Sequence, residues 1–181
     1  MASLDFGLIH PLTGRVYVEG VEPGDALEVE IIRVKHKGWG WNAVIPGFGL
    51  LPNDFSSPYL HHYTMTATEC IFSENIRIPY EPFCGVMGVA PRESGRLSTI
   101  PPRENGGNID IRHLTPGSKA YFPVWMPGAL FSCGDCHSAQ GDGEGGAEQL
   151  VLVAEGVGGE RVHERATVGF DGDQSLVLER D

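Results

Sequence analysis

The sequence predicts a mainly β protein of sandwich or barrel type, with long irregular loops rich in glycine and proline. Three observations carry that expectation. The 25 glycines and 13 prolines of the 181-residue chain are spread along its length, so they punctuate many short elements. Several short runs alternate apolar and polar residues. No segment sustains the 3.6-residue period of an amphipathic helix. A hydrophobic content of 41% supplies material for a core, and the length suits one domain or two small ones.

The elements follow in order. Residues 14–20, GRVYVEG, alternate as a strand. Glu22-Pro23-Gly24-Asp25 is a type II turn pattern, with Pro fixing φ at the first central position and Gly taking positive φ at the second. Residues 26–35 place Leu27, Val29 and Ile31 on one face and Glu28 and Glu30 on the other, a half-buried strand. The two strands and their turn make a hairpin-like unit. Residues 38–58 show no period and read as an ordered loop, with Trp39 and Trp41 plugging a core edge or lining a pocket. His61 and His62 fall in a polar run and read as solvated loop. Residues 69–78 give strand, turn and strand. Residues 79–107 are irregular again, a connection of a length that is uncommon in a compact domain unless it serves function. Residues 119–125 and 129–135 make a strand–turn–strand unit about Pro127-Gly128. The tail lacks Pro, Trp and Tyr and carries three short β-like runs, the last two separated by an Asp-Gly hairpin pattern at 171–172. The expected organisation is a β domain over 1–145 and a tail of short strands over 146–181, packed on the same domain.

Charge and cysteine usage narrow the partners. A net charge of −11 and a pI near 5.0 argue against nucleic acid and against anionic membranes. No stretch approaches the ~20 apolar residues of a membrane span. The N-terminus lacks a basic segment followed by an apolar one, so cytoplasm is the expected compartment. There Cys70, Cys84, Cys133 and Cys136 stay reduced.

Cys133-Gly134-Asp135-Cys136-His137 supports three incompatible readings. Cys-x-x-Cys-His is a haem-attachment pattern, which requires export and a helical flank. Cys-x-x-Cys alone is a zinc or thiol-redox pattern. Zinc needs two further ligands, and the other two cysteines, Cys70 and Cys84, form no second knuckle. Redox chemistry wants a helix N-terminus to lower the thiol pKa, and none is evident. Asp-x-His followed by GDGE is instead a set of oxygen and imidazole ligands for a hydrolytic metal. A serine nucleophile would have to be Ser98 or Ser138, neither in a nucleophile-elbow pattern. Cys136 and His137 are adjacent on a strand and point to opposite faces, a poor nucleophile–base pair.

The stretches GGNIDIRHLTPGS (106–118) and MPGALFSCGDCHSAQGDGE (126–144) resemble the acetamidase/formamidase family of amide hydrolases. HPLTGRVYVEGVEPGDALEVEI, GWGWNAVIPGFGLL, IRIPYEPFCGVMGVAP and STIPPRENGGNIDIR fit as well, so the resemblance covers about residues 5–144. Members of that family are longer, with a segment before the HPLTG strand and a different continuation after GDGE.

The resemblance implies hydrolysis of a short aliphatic amide to ammonia and carboxylate by a metal-activated water. Such a metal lowers the pKa of its water and acts as a Lewis acid. Asp135 and His137, two apart on a strand, face the same way as ligands. Asp110 joins them from another strand. Glu144 is the general base, and Asp142 orients the imidazole. Gln140 and Asn108 offer amide groups to the oxyanion or the substrate. His10 reaches toward the site. Cys133 and Cys136 are then ordinary buried small residues. The cofactor expected is a divalent metal, zinc first and calcium second, and the partners are a small amide and further copies of the chain. The alternative is a truncated, inactive paralogue serving as a metal-binding or subunit-interaction domain.

Overall fold

The computed structural model describes residue 7 and residues 9–49, 51–141, 162–171 and 175–179. The architecture is mainly β, built from three sheets, and no α-helix occurs among the described residues. None of those residues forms a helix long and apolar enough to cross a membrane. The sheets remain separate instead of closing into one barrel.

The first sheet is organised around β1, Ala26–Val34. Its alternation buries Leu27, Val29 and Ile31 almost completely. On one side β1 pairs antiparallel with β8, Lys119–Pro123, with Leu27 opposite Phe122. On the other it pairs parallel with β10, Val162–Asp171. β10 then pairs antiparallel with β11, Ser175–Glu179, with Asp171 opposite Ser175. Glu28, on the polar face of β1, is itself buried. Its carboxylate accepts from Lys119 Nζ at 2.7 Å and Tyr121 Oη at 2.6 Å, which satisfies the charge.

The second sheet runs β2 (Trp39–Val44), β3 (Tyr59–Met65), β4 (Glu69–Ile71) and β5 (Arg77–Pro79), each antiparallel to the next. The third places β6, Phe83–Gly88, between β7, Gly106–Asn108, and β9, Ser132–His137. The core joins the first and third sheets: Leu27, Val29 and Ile31 meet Cys84 and Met87 of β6, Phe131, Cys133 of β9 and Phe122 of β8. Each large apolar side chain removed from water there contributes about 1.5–3 kcal/mol.

Four stretches depart from the sequence reading. Residues 14–20 form no strand and no hairpin with β1. Both edges of β1 are taken by β8 and β10. The N-terminal run instead touches β9 and its approach through isolated bridges, Leu12 with Gly134 and Val16 with Phe131. Residues 38–58, read as a loop, contain β2. The period is masked there because Gly40 has no side chain and is covered by the ring of its ladder partner Tyr63. Trp39 and Trp41 are exposed on that strand and do not plug a core edge. His61 and His62 lie on β3, not in a loop. His61 Nε2 stands 2.8 Å from Phe72 O, with its ring 4.2 Å from the Phe72 ring. The stretch 79–107 contains β6, in which every residue is buried. A strand covered on both faces shows no alternation. The turn at Pro23-Gly24 is present, with Gly24 at φ 101° and Asp25 N donating to Glu22 O at 3.1 Å. The first of the three β-like runs in the tail lies outside the described residues.

Candidate metal centre

The centre of the third sheet gathers three ligand-type side chains. Asp110, Asp135 and His137 each offer an atom within 4.8 Å of the others, all partly buried. His137 Nε2 lies 3.3 Å from Asp135 Oδ2 and 3.6 Å from Asp110 Oδ1. His10 Nε2 approaches Asp135 Oδ2 at 3.9 Å, while its Nδ1 is 2.9 Å from Thr99 Oγ1. Two carboxylates thus converge on one imidazole nitrogen in a half-dry setting, where like charges repel unless a proton or cation stands between them.

Local backbone explains how they converge. Asp135 and His137 are two apart on β9, but Asp135 sits at φ 50°. Asp110, just past β7, sits at φ 45°. This left-handed region costs most side chains about 1–3 kcal/mol and suits Asp and Asn best. Asp110 reaches the site because the Gly85 carbonyl receives two donors, Ile109 N at 2.9 Å and Asp110 N at 3.1 Å. Gly85 also makes the room. A Cβ at that position would stand 2.5 Å from Asp110 Oδ1 and 2.9 Å from His137 Nε2. The Phe83 ring, 4.9 Å from the His137 ring, walls the other side.

The hydrogen bond with His137 holds the Asp135 carboxyl below its ordinary value, against the opposing effect of burial, and His10 adds to the lowering. Asp135 is therefore an anion at neutral pH. Oxygen and imidazole donors of this kind match a divalent cation of intermediate hardness.

The neighbouring amides are partly committed. Gln140 Nε2 donates to Asp110 O at 2.8 Å, and Asn108 Nδ2 donates to Ile100 O at 3.2 Å. Their carbonyl oxygens, Gln140 Oε1 and Asn108 Oδ1, are buried and accept no hydrogen bond among the described residues. Glu144 and Asp142 lie outside the described residues. Ser138 Oγ pairs with Tyr63 Oη at 2.9 Å, and Ser98 Oγ accepts from Ile100 N at 3.3 Å. A cleft of about 310 Å³ walled by Arg15, Arg92, Met126 and Ser132, among others, includes none of the cluster residues.

The cysteines divide. Cys133 is fully buried, and burial pushes its thiol up to about 12. Cys136, expected to be buried, is exposed. Sequence reasoning missed Gly85, since nothing in its own neighbourhood marks it; only its register opposite β9 does.

Comparison with known proteins identifies relatives of the chain. The sequence matches the model of the Acetamidase/Formamidase family over residues 1–96 and 92–150. It is 28% identical to the acetamidase of Mycolicibacterium smegmatis over 204 residues, covering 78% of this chain and 50% of that protein. It is 29% identical to the formamidase of Methylophilus methylotrophus, covering 78% of this chain and 48% of that protein. Among solved structures, the acetamidase of Bacillus halodurans superposes with a TM-score of 0.74 at 38% identity, over 80% of this chain and 49% of that one. The chain spans about half the length of these relatives.

Proposed function

The chain belongs to the acetamidase/formamidase family, and from that premise we propose that it takes part in hydrolysing a short aliphatic amide to ammonia and the carboxylate. The observation that carries the reading is the convergence of Asp110, Asp135 and His137 on one point, with Gly85 leaving the space open.

Those three residues would hold a divalent cation. Three protein ligands that include an imidazole favour zinc, whereas calcium prefers six to eight oxygens. When bound, the cation supplies Lewis acidity and lowers the pKa of a water molecule. The chain's own residues do the rest. Asp135, already anionic, contributes charge without first losing a proton. Gln140, by donating to the Asp110 carbonyl, fixes the backbone that presents the Asp110 carboxylate. The buried carbonyl oxygens of Gln140 and Asn108 suit the two N–H donors of a primary amide, so their role here is to accept from substrate. Glu144 is assigned the proton shuttle on the strength of the GDGE motif, since the departing ammonia must be protonated and a carboxylate can relay the proton. Further copies of the chain are the proposed protein partners, and light scattering on the purified protein gives the subunit number.

Ammonia release from formamide and acetamide, assayed with and without a chelator and after zinc add-back, is the test. Elemental analysis of the same sample runs beside it. Chelator-sensitive release with one bound zinc per chain supports the reading. Folded, zinc-loaded protein that releases no ammonia from any small amide overturns it.

A further inference from the structure

We propose that Cys84 and Cys136 form a peroxide-responsive dithiol, a covalent modification site at which a hydroperoxide joins the two sulfurs across the β6–β9 ladder. Cys84 and Cys136 are direct partners in that antiparallel pair. Their sulfurs approach to 3.5 Å. Partners in an antiparallel ladder hold their Cα atoms about 4.5–5.5 Å apart, inside the roughly 4.4–6.8 Å range a disulfide spans. The sulfurs need to close by about 1.5 Å to reach bonding distance, a side-chain rotation with little backbone movement.

The pair is asymmetric in the way such chemistry requires. Cys136 is exposed and meets the oxidant, while Cys84 is 1% exposed within the core. Cys136 Sγ attacks the peroxide oxygen and the O–O bond breaks. Cys136 becomes a sulfenic acid and the reduced oxidant leaves as water or an alcohol. Cys84 Sγ then attacks the Cys136 sulfur and expels water as the S–S bond forms. The net change is two thiols and one hydroperoxide giving one disulfide, one alcohol or water, and one further water. The two sulfurs lose two electrons and the peroxide gains them.

The sequence motif points to the wrong partner. Cys133 belongs to the same Cys-x-x-Cys as Cys136, yet it lies opposite Met87, is fully buried, and has its sulfur 3.8 Å from Thr13 Oγ1. Cys70 is buried on a different sheet. The bond would tie β6 to β9 next to Gly85, Asp135 and His137. A disulfide there would stiffen the strands that carry the acidic cluster. The reaction needs no metal and no amide substrate, so its outcome is independent of the hydrolytic reading.

The experiment treats reduced, chelator-stripped full-length protein with a few equivalents of hydrogen peroxide and follows intact mass, free thiols and non-reduced peptide maps. The expected result is a loss of about 2 Da, a fall from the four free thiols of the structure to half that number, and a peptide linking Cys84 to Cys136, all reversed by dithiothreitol. In Cys84→Ser the expected product is a sulfenic acid on Cys136, trapped by dimedone, with no loss of two hydrogens. In Cys136→Ser, a change at an exposed position, neither product appears. Wild-type protein that keeps all its thiols, that gains oxygen without a cross-link, or that links Cys70 or Cys133 instead overturns the proposal. The wild-type map decides the matter even where Cys84→Ser fails to fold.

Discussion

Gly85 and Asp110 constrain each other from two directions. The Gly85 carbonyl accepts the Asp110 N–H at 3.1 Å, and Asp110 Oδ1 occupies the space a Gly85 side chain would need. Gly85→Ala should therefore cost about 1–3 kcal/mol of stability through overpacking. It should also weaken zinc binding by roughly tenfold or more as the ligand atoms are pushed apart. Thermal melts and competition against a chromophoric chelator measure the two effects separately. An alanine variant with wild-type zinc affinity would show that the cluster does not depend on this gap.

Asp110 and Asp135 combine a proposed ligand role with positive φ, and the two can be separated. Asn tolerates that backbone and Ala does not. In chelator, Asp135→Ala should unfold at lower urea than Asp135→Asn, by about 1 kcal/mol. Both variants should lose zinc, since neither retains the carboxylate. Equal urea midpoints for the two would remove the backbone argument.

Gln140 reads as an acceptor for substrate through Oε1. Removing one neutral hydrogen bond costs about 1 kcal/mol, or roughly fivefold in affinity. Gln140→Ala should raise KM for a primary amide by about that factor. A fall in kcat with unchanged KM would instead point to the Asp110 carbonyl contact as its whole contribution.

Tyr80 gives a pH dependence whose sign is fixed. Burial pushes its phenol up to about 12, with the nearby Cys136 and Cys70 adding to the shift. The folded state thus holds the proton more tightly than the unfolded chain does, where the phenol titrates near ~10. That stabilisation is fully present below pH ~10 and is lost as pH rises toward the folded value. Tyr80→Phe should flatten the alkaline fall in urea midpoint over that window and leave the neutral region nearly unchanged.

Glu28 is buried against Lys119 and Tyr121. Lys119→Met should strand the carboxylate and destabilise by about 1–3 kcal/mol, below the usual cost of a fully buried pair because Lys119 is itself partly exposed. Adding Glu28→Gln should recover part of the loss. Urea melts of the single and double variants form the cycle that checks this.

What was legible in the sequence follows the physics of each element. β1 and β8 were visible because one face is apolar and the other polar. β6 was not, since a strand covered on both sides has no alternation to read. β2 was hidden by Gly40, whose gap is filled from the neighbouring strand. The Asp135, His137 and Asp110 set could be named from residue type, the two-residue spacing and the family resemblance. Gly85 and the pairing of Cys84 with Cys136 could not. Both depend on the register of β6 against β9, and register is a property of two strands that neither sequence contains alone.

The left-handed backbone at Asp110 and Asp135 has a consequence for which acid can stand there. Glutamate carries the same charge and the same two oxygens, yet its longer stem lacks the local backbone hydrogen bonding that lets aspartate settle at positive φ. Main-chain shape, independently of what the carboxylate binds, has therefore already chosen the shorter acid at both positions.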